Sequence, residues 1–363
     1  MGKIRILYFI TNMDIAGAQR FVTDIITHLD TDKYEVALMV IDEFDENFLI
    51  KRLRKKCVNI IGISKHSGSF RRIRVLNRII KEIKMYKPDV IHSNLDYSYS
   101  WLSAFLLNIP IVVTIHSEPF RIISTSKQLL YRCCKFKGLV YVILPCKTCA
   151  EDFSRLFKAK REEEQVIPNP VCLDEFGTCR EEKSGDAIHF VTVSRFHQVK
   201  NNHEIIKAFC ELREEKSNVY LDMYGDGELF EDEQKYVESI NMGEFIKLHG
   251  SADNISEVLK DMDVFVQFSK SECFPISVLE AMASGLPVIA SDVGGLNDMI
   301  FDNGFLVKSY SELVDAMKKL TDDTDLRDRM SKKSFELVRQ YDVVVVTKEY
   351  EALYDHIVGG LYH

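Results

Sequence analysis

From Ser271 the chain reads Ser-Glu-Cys-Phe-Pro-Ile-Ser-Val-Leu-Glu-Ala-Met-Ala-Ser-Gly-Leu-Pro-Val-Ile-Ala-Ser-Asp-Val-Gly-Gly, with carboxylates Glu272 and Glu280 on either side of a helix start. Pro275 suits a first helical turn, where a missing N–H costs nothing and φ is already helical. Val278, Leu279, Met282 and Ala283 give an apolar face of helical period. Gly285 and Pro287 stop that helix before Val288-Ile289-Ala290, a short buried strand. Glu272 is expected on the loop above the helix. Glu280 is expected about a turn and a half inside, leaning back toward the same opening. The backbone from Phe274 through Pro275, Ile276, Ser277 and Val278 to Leu279 presents the unpaired N–H groups of a helix start, a seat for an anion. An anion seat between two hydroxyl-binding carboxylates suits a sugar nucleotide.

Two cations stand in the same half of the chain. After the apolar run Ile188–Val193 come Ser194-Arg195-Phe196-His197-Gln198-Val199-Lys200-Asn201, so Arg195 and Lys200 follow the carboxyl end of a strand. Beside the Glu272–Glu280 segment they are placed to grip a diphosphate through charge-assisted hydrogen bonds. In the first half, Thr11-Asn12-Met13-Asp14-Ile15-Ala16-Gly17 joins strand to helix, and Gly17 lets a ligand approach a helix N-terminus. It is not a GxGxxG fingerprint and lacks the acidic residue at the required offset, which argues against a dehydrogenase. His116, in Thr114-Ile115-His116-Ser117-Glu118, follows another buried strand. It reads equally as a structural hydrogen-bonder or as a residue of the ligand site. No Ser-His-Asp order, metal-ligand spacing or P-loop accompanies these residues.

The elements that must hold them alternate. Ile4–Ile10, Tyr34–Ile41, Val58–Ile63, Val90–His92, Ile111–Ile115 and Leu139–Leu144 read as strands, with helical runs Phe21–Leu29, Phe48–Lys56, Ile73–Met85 and Tyr99–Leu107 between them. The pattern restarts with strands at Ile188–Val193, Val219–Tyr224, Ile246–Leu248 and Val264–Val266, and helices at Glu204–Leu212, Leu229–Ile240 and Ile255–Leu259. Such alternation predicts an α/β protein of two doubly wound parallel sheets, with ligands at the carboxyl ends of the strands in a cleft between two facing domains. The expected boundary follows Pro168-Asn169-Pro170. Residues 1–170 form the first domain, 171–186 a linker and 187–340 the second. The closing segment Leu337–Val358 is expected to be amphipathic and helical apart from the β-branched run Val343–Val346, with 341–363 lying beyond the second domain.

At 363 residues the chain exceeds one ordinary core. No apolar run nears a membrane span, and neither a signal peptide nor a myristoylation signal is legible at the start. The expected compartment is the cytoplasm. Nine scattered cysteines, Cys146-Lys147-Thr148-Cys149 among them, lack the second pair or His cluster of a zinc site. Net charge is uneven: residues 1–165 carry 27 Lys and Arg against 18 Asp and Glu, a net of +9, and the remainder 20 against 37, a net of −17. The basic half fits either a solvated face or peripheral contact with the anionic inner face of a membrane. Nucleic acid is disfavoured, since no recognition-helix or aromatic pattern accompanies the charge.

The block Ser194-Arg195…Lys200-Asn201, Tyr224-Gly225-Asp226-Gly227, Leu248-His249-Gly250 and the E-x7-E pair Glu272 and Glu280 with its Phe-Pro and Glu-Ala-Met-Ala context resembles the retaining GT-B glycosyltransferases of family 4. The likeness is strongest over residues 188–300 and colinear from the N-terminus. It implies that Arg195 and Lys200 hold the donor diphosphate, Glu272 the sugar hydroxyls and Glu280 the ribose. Amides near Ser277 and Val278 would meet the phosphate, Gly17 the pyrophosphate, and His116 would stand beside the donor sugar. It also implies transfer without metal or cofactor from a nucleotide sugar, expected to be a UDP-sugar, and the basic first domain adds the expectation of a lipid-linked or polysaccharide acceptor of the capsule or lipopolysaccharide kind. The last helix is implied to cross back onto the first domain. Ala16 replaces the first Gly of the family's pair, Cys273 a common Gly, and Asp298 a common Glu. A UDP-sugar epimerase of the same fold and a non-catalytic nucleotide-binding subunit are the alternatives.

Overall fold

A computed structural model of the protein describes residues 2–63, 71–95, 98–117, 125–157, 164–177 and 187–361. Within the expected linker, residues 178–186 lie outside them, as does Glu118. The chain divides into two compact units, Met1–Pro170 with Val343–His363, and Val171–Asp342.

The first unit is built on β1 (Ile4–Ile10), β2 (Tyr34–Val40), β3 (Asn59–Gly62), β4 (Val90–Asn94), β5 (Ile111–Thr114), β6 (Val140–Leu144) and β7 (Glu164–Val166), in the order β3-β2-β1-β4-β5-β6-β7. Every pairing is parallel, with Ile6 beside both Val36 and Val90. Strands such as Ile-Arg-Ile-Leu-Tyr-Phe-Ile are apolar on both faces because helices cover both. The order runs one way from β1 to β3 and the other from β4 to β7. Right-handed crossovers then place α1 (Gly17–His28) and α2 (Phe48–Lys55) on one face. They place α3 (Arg71–Tyr86), α4 (Tyr99–Leu107) and α5 (Thr125–Phe136) on the other, followed by α6 (Lys147–Phe157). Helix packing agrees, α1 against α2, α3 against α4, and α4 against α5.

The second unit repeats the plan with β8 (Ile188–Val193), β9 (Val219–Tyr224), β10 (Ile246–Leu248), β11 (Val264–Gln267), β12 (Val288–Ser291) and β13 (Gly304–Val307). Their parallel order is β10-β9-β8-β11-β12-β13. The connecting helices are α7 (Asn202–Glu215), α8 (Phe230–Ser239), α9 (Ile255–Leu259), α10 (Ile276–Ala283), α11 (Tyr310–Asp322) and α12 (Thr324–Val338). In each sheet the winding reverses once, between β1 and β4 and between β8 and β11, and ligands of such sheets bind beyond the strand ends at that point.

The closing segment corrects an expectation. Val343–Val346 is not an interruption but the start of α13 (Val343–Leu361). Val343, Val346, Tyr350, Leu353, Tyr354 and Ile357 form one buried stripe, while Val344 and Val345 face solvent. Burial of that stripe against α1 and β4 outweighs the modest helix penalty of β-branching. Polar bonds fix it further. Tyr354 Oη lies 2.6 Å from Tyr8 Oη and 2.7 Å from His92 Nδ1, and His92 Nε2 lies 2.7 Å from Thr114 Oγ1.

Burial holds His92 neutral, its pKa well below the ordinary 6.5. The unfolded chain takes up a proton there below about pH 6.5 and the native one does not, so stability falls as pH falls, by about 1.4 kcal/mol per pH unit. Melting followed from about pH 7 to about pH 5 should show this, with a shallower slope in His92→Gln. An unchanged melting temperature would contradict it.

Candidate active site

In the second unit, the loops after β8 and β11 meet at the switch point. The β8 loop is fixed by Ser194 Oγ donating to Asn202 Oδ1 at 2.9 Å and by Phe196 N–H donating to the carbonyl of Asp226 in the β9 loop, which Gly225 N–H in turn ties to the Gly250 carbonyl after β10. It is joined to the β11 loop where Lys270 N–H donates to the Val199 carbonyl at 2.8 Å. That junction brings Lys200 Nζ within 2.6 Å of Glu272 Oε1. The same oxygen accepts from Gln267 Nε2 at 2.5 Å and Ser269 Oγ at 2.6 Å. Ser277 Oγ donates to Gln267 Oε1 at 3.3 Å, and Ser291 Oγ to the Ser269 carbonyl at 2.6 Å. Glu272 is buried, so its charge is held by these donors rather than by water. Gln267 and Ser269 had no signal in the sequence, for a glutamine ending a strand and a serine in a loop are ordinary.

Arg195 stands exposed on the β8 loop, and among the described residues no carboxylate pairs with it. Glu280 is buried inside α10. The helix start differs from expectation by one residue. Pro275, with φ −71° and ψ 125°, caps the helix instead of entering it, and no side chain caps it. Val278 N–H reaches back to the Pro275 carbonyl at 3.2 Å. Leu279 lies past the first free amides, and proline has none, which leaves Ile276 and Ser277 as open donors. The side chains of Phe274, Ile276 and Val278 are core, Phe274 packing edge-on against Tyr341 at 5.4 Å, so this segment can offer a ligand only its backbone and Ser277 Oγ.

Gly294 locks the arrangement. At φ +53° a Cβ there would stand 1.8 Å from the Glu272 carbonyl oxygen. Gly294→Ala should therefore destabilise the protein by about 3 kcal/mol or more and misplace Glu272. Denaturant unfolding measures the first; a wild-type midpoint would refute it.

The first unit gathers a second cluster at its strand ends. Gly17 opens α1, exposed, after the loop from β1. Phe21 in α1 packs edge-on against the His116 ring at 4.8 Å. His116 Nε2 lies 2.8 Å from Asn94 Oδ1 at the end of β4, which assigns the proton to Nε2 and leaves Nδ1 as an acceptor. Burial pushes the His116 pKa down to about 3, so the ring is neutral. It is suited to a hydrogen bond rather than a charge. Asn94 too was silent in the sequence.

Comparison with known proteins places these features. A family model described as Glycosyl transferases group 1 matches residues 180–353, and one described as Glycosyltransferase Family 4 matches residues 15–175. The chain belongs to the GT-B glycosyltransferases of family 4, and it is a glycosyltransferase. It is 26% identical over 398 residues to the UDP-Gal:alpha-D-GlcNAc-diphosphoundecaprenol alpha-1,3-galactosyltransferase of Escherichia coli, covering 98% of each chain. It is 27% identical over 265 residues to the alpha-monoglucosyldiacylglycerol synthase of Streptococcus pneumoniae, 66% of this chain and 60% of that one. The Anabaena protein HepE (Alr3699), crystallised with UDP and glucose, superposes with a TM-score of 0.83 at 17% identity, over 97% of this chain and 100% of that one.

Proposed function

We propose that the protein transfers a sugar from a UDP-sugar, with retention and without a metal, to a lipid-linked or polysaccharide acceptor at an anionic membrane surface. The observation that carries the donor assignment is the buried Glu272, held by Lys200, Gln267 and Ser269 beside the open amides of Ile276 and Ser277. Lys200 and Arg195 supply positive charge to the departing diphosphate, and the two amides add the dipole of a helix start. Glu272 accepts from the sugar hydroxyls and Glu280 from the ribose, while Gly17 and His116 are assigned to the pyrophosphate and the donor sugar. In the step itself the bond from the anomeric carbon to the phosphate oxygen breaks and a bond to the acceptor oxygen forms on the same face. The acceptor proton passes to the departing phosphate oxygen, so no separate general base is needed. The acceptor class is supported by two relatives whose names carry a diphosphoundecaprenol and a diacylglycerol acceptor.

The test is thermal-shift binding of UDP, GDP, ADP and UDP-sugars without metal, together with product analysis. Glu272→Ala should retain UDP binding, because the change frees Lys200, and should lose the added response to a UDP-sugar. Loss of UDP affinity in that variant would refute the division of roles. Isomerised donor without transfer would indicate the epimerase instead.

A further inference from the structure

We propose that Gln267 is a positioning residue that sets donor-sugar discrimination by tying the Glu272 carboxylate to the Ser277 hydroxyl, an assignment that rests on the donor-site reading above. Gln267 ends β11, is 1% exposed, and has its backbone paired with Ala290 of β12. The strand before it, Val264-Phe265-Val266, is wholly apolar. A glutamine buried there costs free energy unless both ends of its amide are bonded, and an apolar residue would fill the place without that condition. The reason for its polarity lies in its neighbours.

Those neighbours fix which way the amide faces. A carboxylate only accepts, so Nε2 faces Glu272 and donates to Oε1 at 2.5 Å. Its second N–H reaches Ser269 Oγ at 3.2 Å, and the Ser269 proton goes to the same Glu272 oxygen at 2.6 Å. With Lys200 Nζ also at 2.6 Å, three donors fill Oε1. Among the described residues none reaches Oε2. Glu272 therefore addresses a ligand through one oxygen, whose direction is set by what holds the other. At the far end of the amide, Gln267 Oε1 accepts from Ser277 Oγ at 3.3 Å, in the first turn of α10 beside the open amides. A phosphate that draws the Ser277 hydroxyl to itself leaves Gln267 Oε1 buried without a donor. One amide thus couples the reading of the sugar to the seat of the phosphate.

The experiment is titration calorimetry of UDP, UDP-glucose and UDP-galactose on the wild type, Gln267→Met, Ser277→Ala and the double variant. The wild type should bind one UDP-sugar roughly tenfold or more tighter than its epimer, which differs at a single hydroxyl. Gln267→Met should cut that ratio to about twofold or less, while UDP itself binds as before or up to about threefold tighter because the Ser277 hydroxyl is released. Ser277→Ala should also narrow the ratio when Gln267 is present and change it no further in the double variant, a non-additivity that a merely structural role would not produce. If Gln267→Met does not fold, Ser277→Ala alone decides the matter, since the coupling requires its ratio to fall. A wild type that fails to bind UDP would overturn the donor-site reading and this assignment with it. UDP binding with no preference between the two sugars, an unchanged ratio in the single variants, or additive losses in the double variant would overturn the Gln267 assignment alone.

Discussion

Lys200→Ala is expected to lower turnover by about a hundred- to a thousandfold, while costing only about 1–2 kcal/mol of stability. The two halves of that expectation come from one contact. In the free protein Lys200 Nζ donates to Glu272 Oε1 at 2.6 Å, and that oxygen keeps Gln267 and Ser269 when the lysine is gone. Its loss strips the buried Glu272 carboxylate of its countercharge, and the two neutral donors that remain on the same oxygen limit the cost. Diphosphate carries more charge than a carboxylate and draws the ammonium toward itself as the leaving group departs. Steady-state kinetics with a UDP-sugar reads the first effect, and denaturant unfolding the second. Wild-type turnover in the variant would remove Lys200 from the leaving-group site. A large loss of stability with normal specific activity would make the pair structural.

A chain ending at Asp342 is expected not to fold its first unit. Val343, Val346, Tyr350, Tyr354, Ile357 and Val358 are all buried, and they cover Tyr8, Phe21 and His92. Each large apolar side chain contributes about 1.5–3 kcal/mol on burial, so their joint loss, about 9–18 kcal/mol, is as large as the ~5–15 kcal/mol that holds an ordinary domain. His92 would also lose its Tyr354 partner and Tyr34 its bond to Asp355 at 2.8 Å. Circular dichroism and limited proteolysis of the shortened chain check this. The second unit should survive digestion while the first is cut. A shortened chain whose first unit resists protease would show that α13 is dispensable.

The alternation of strand and helix was legible because parallel strands buried on both faces read as continuous apolar runs, as in Ile4–Ile10 and Ile188–Val193. Two of the four strands at the sheet margins were not: Glu164–Val166 is short and polar, and Gly304–Val307 begins on a glycine. Helix α13 was misread at its start because local β-preference is strong in Val343–Val346, and only the packing of residues far away in sequence reverses it. In the candidate site, the meeting of Lys200 with Glu272 was legible, since a strand-end cation and a carboxylate before a helix start both belong at the switch point of one sheet. What was illegible is what holds them. Gln267, Ser269 and Asn94 are polar residues of no distinctive spacing, and their partnership with Glu272 and His116 exists only after the sheet has brought strand ends together.

Because α13 completes the first unit from the far end of the chain, the order of synthesis on the ribosome does not match the order of folding. Domains generally fold as they emerge, the N-terminal one first. Here residues 1–170 leave the exit tunnel with the faces of β1 and β4 that α13 will cover still bare, and stay so while the whole second unit is translated. Nascent chains stalled before Val343 would expose that apolar groove to chaperones, and release of the last helix would close it.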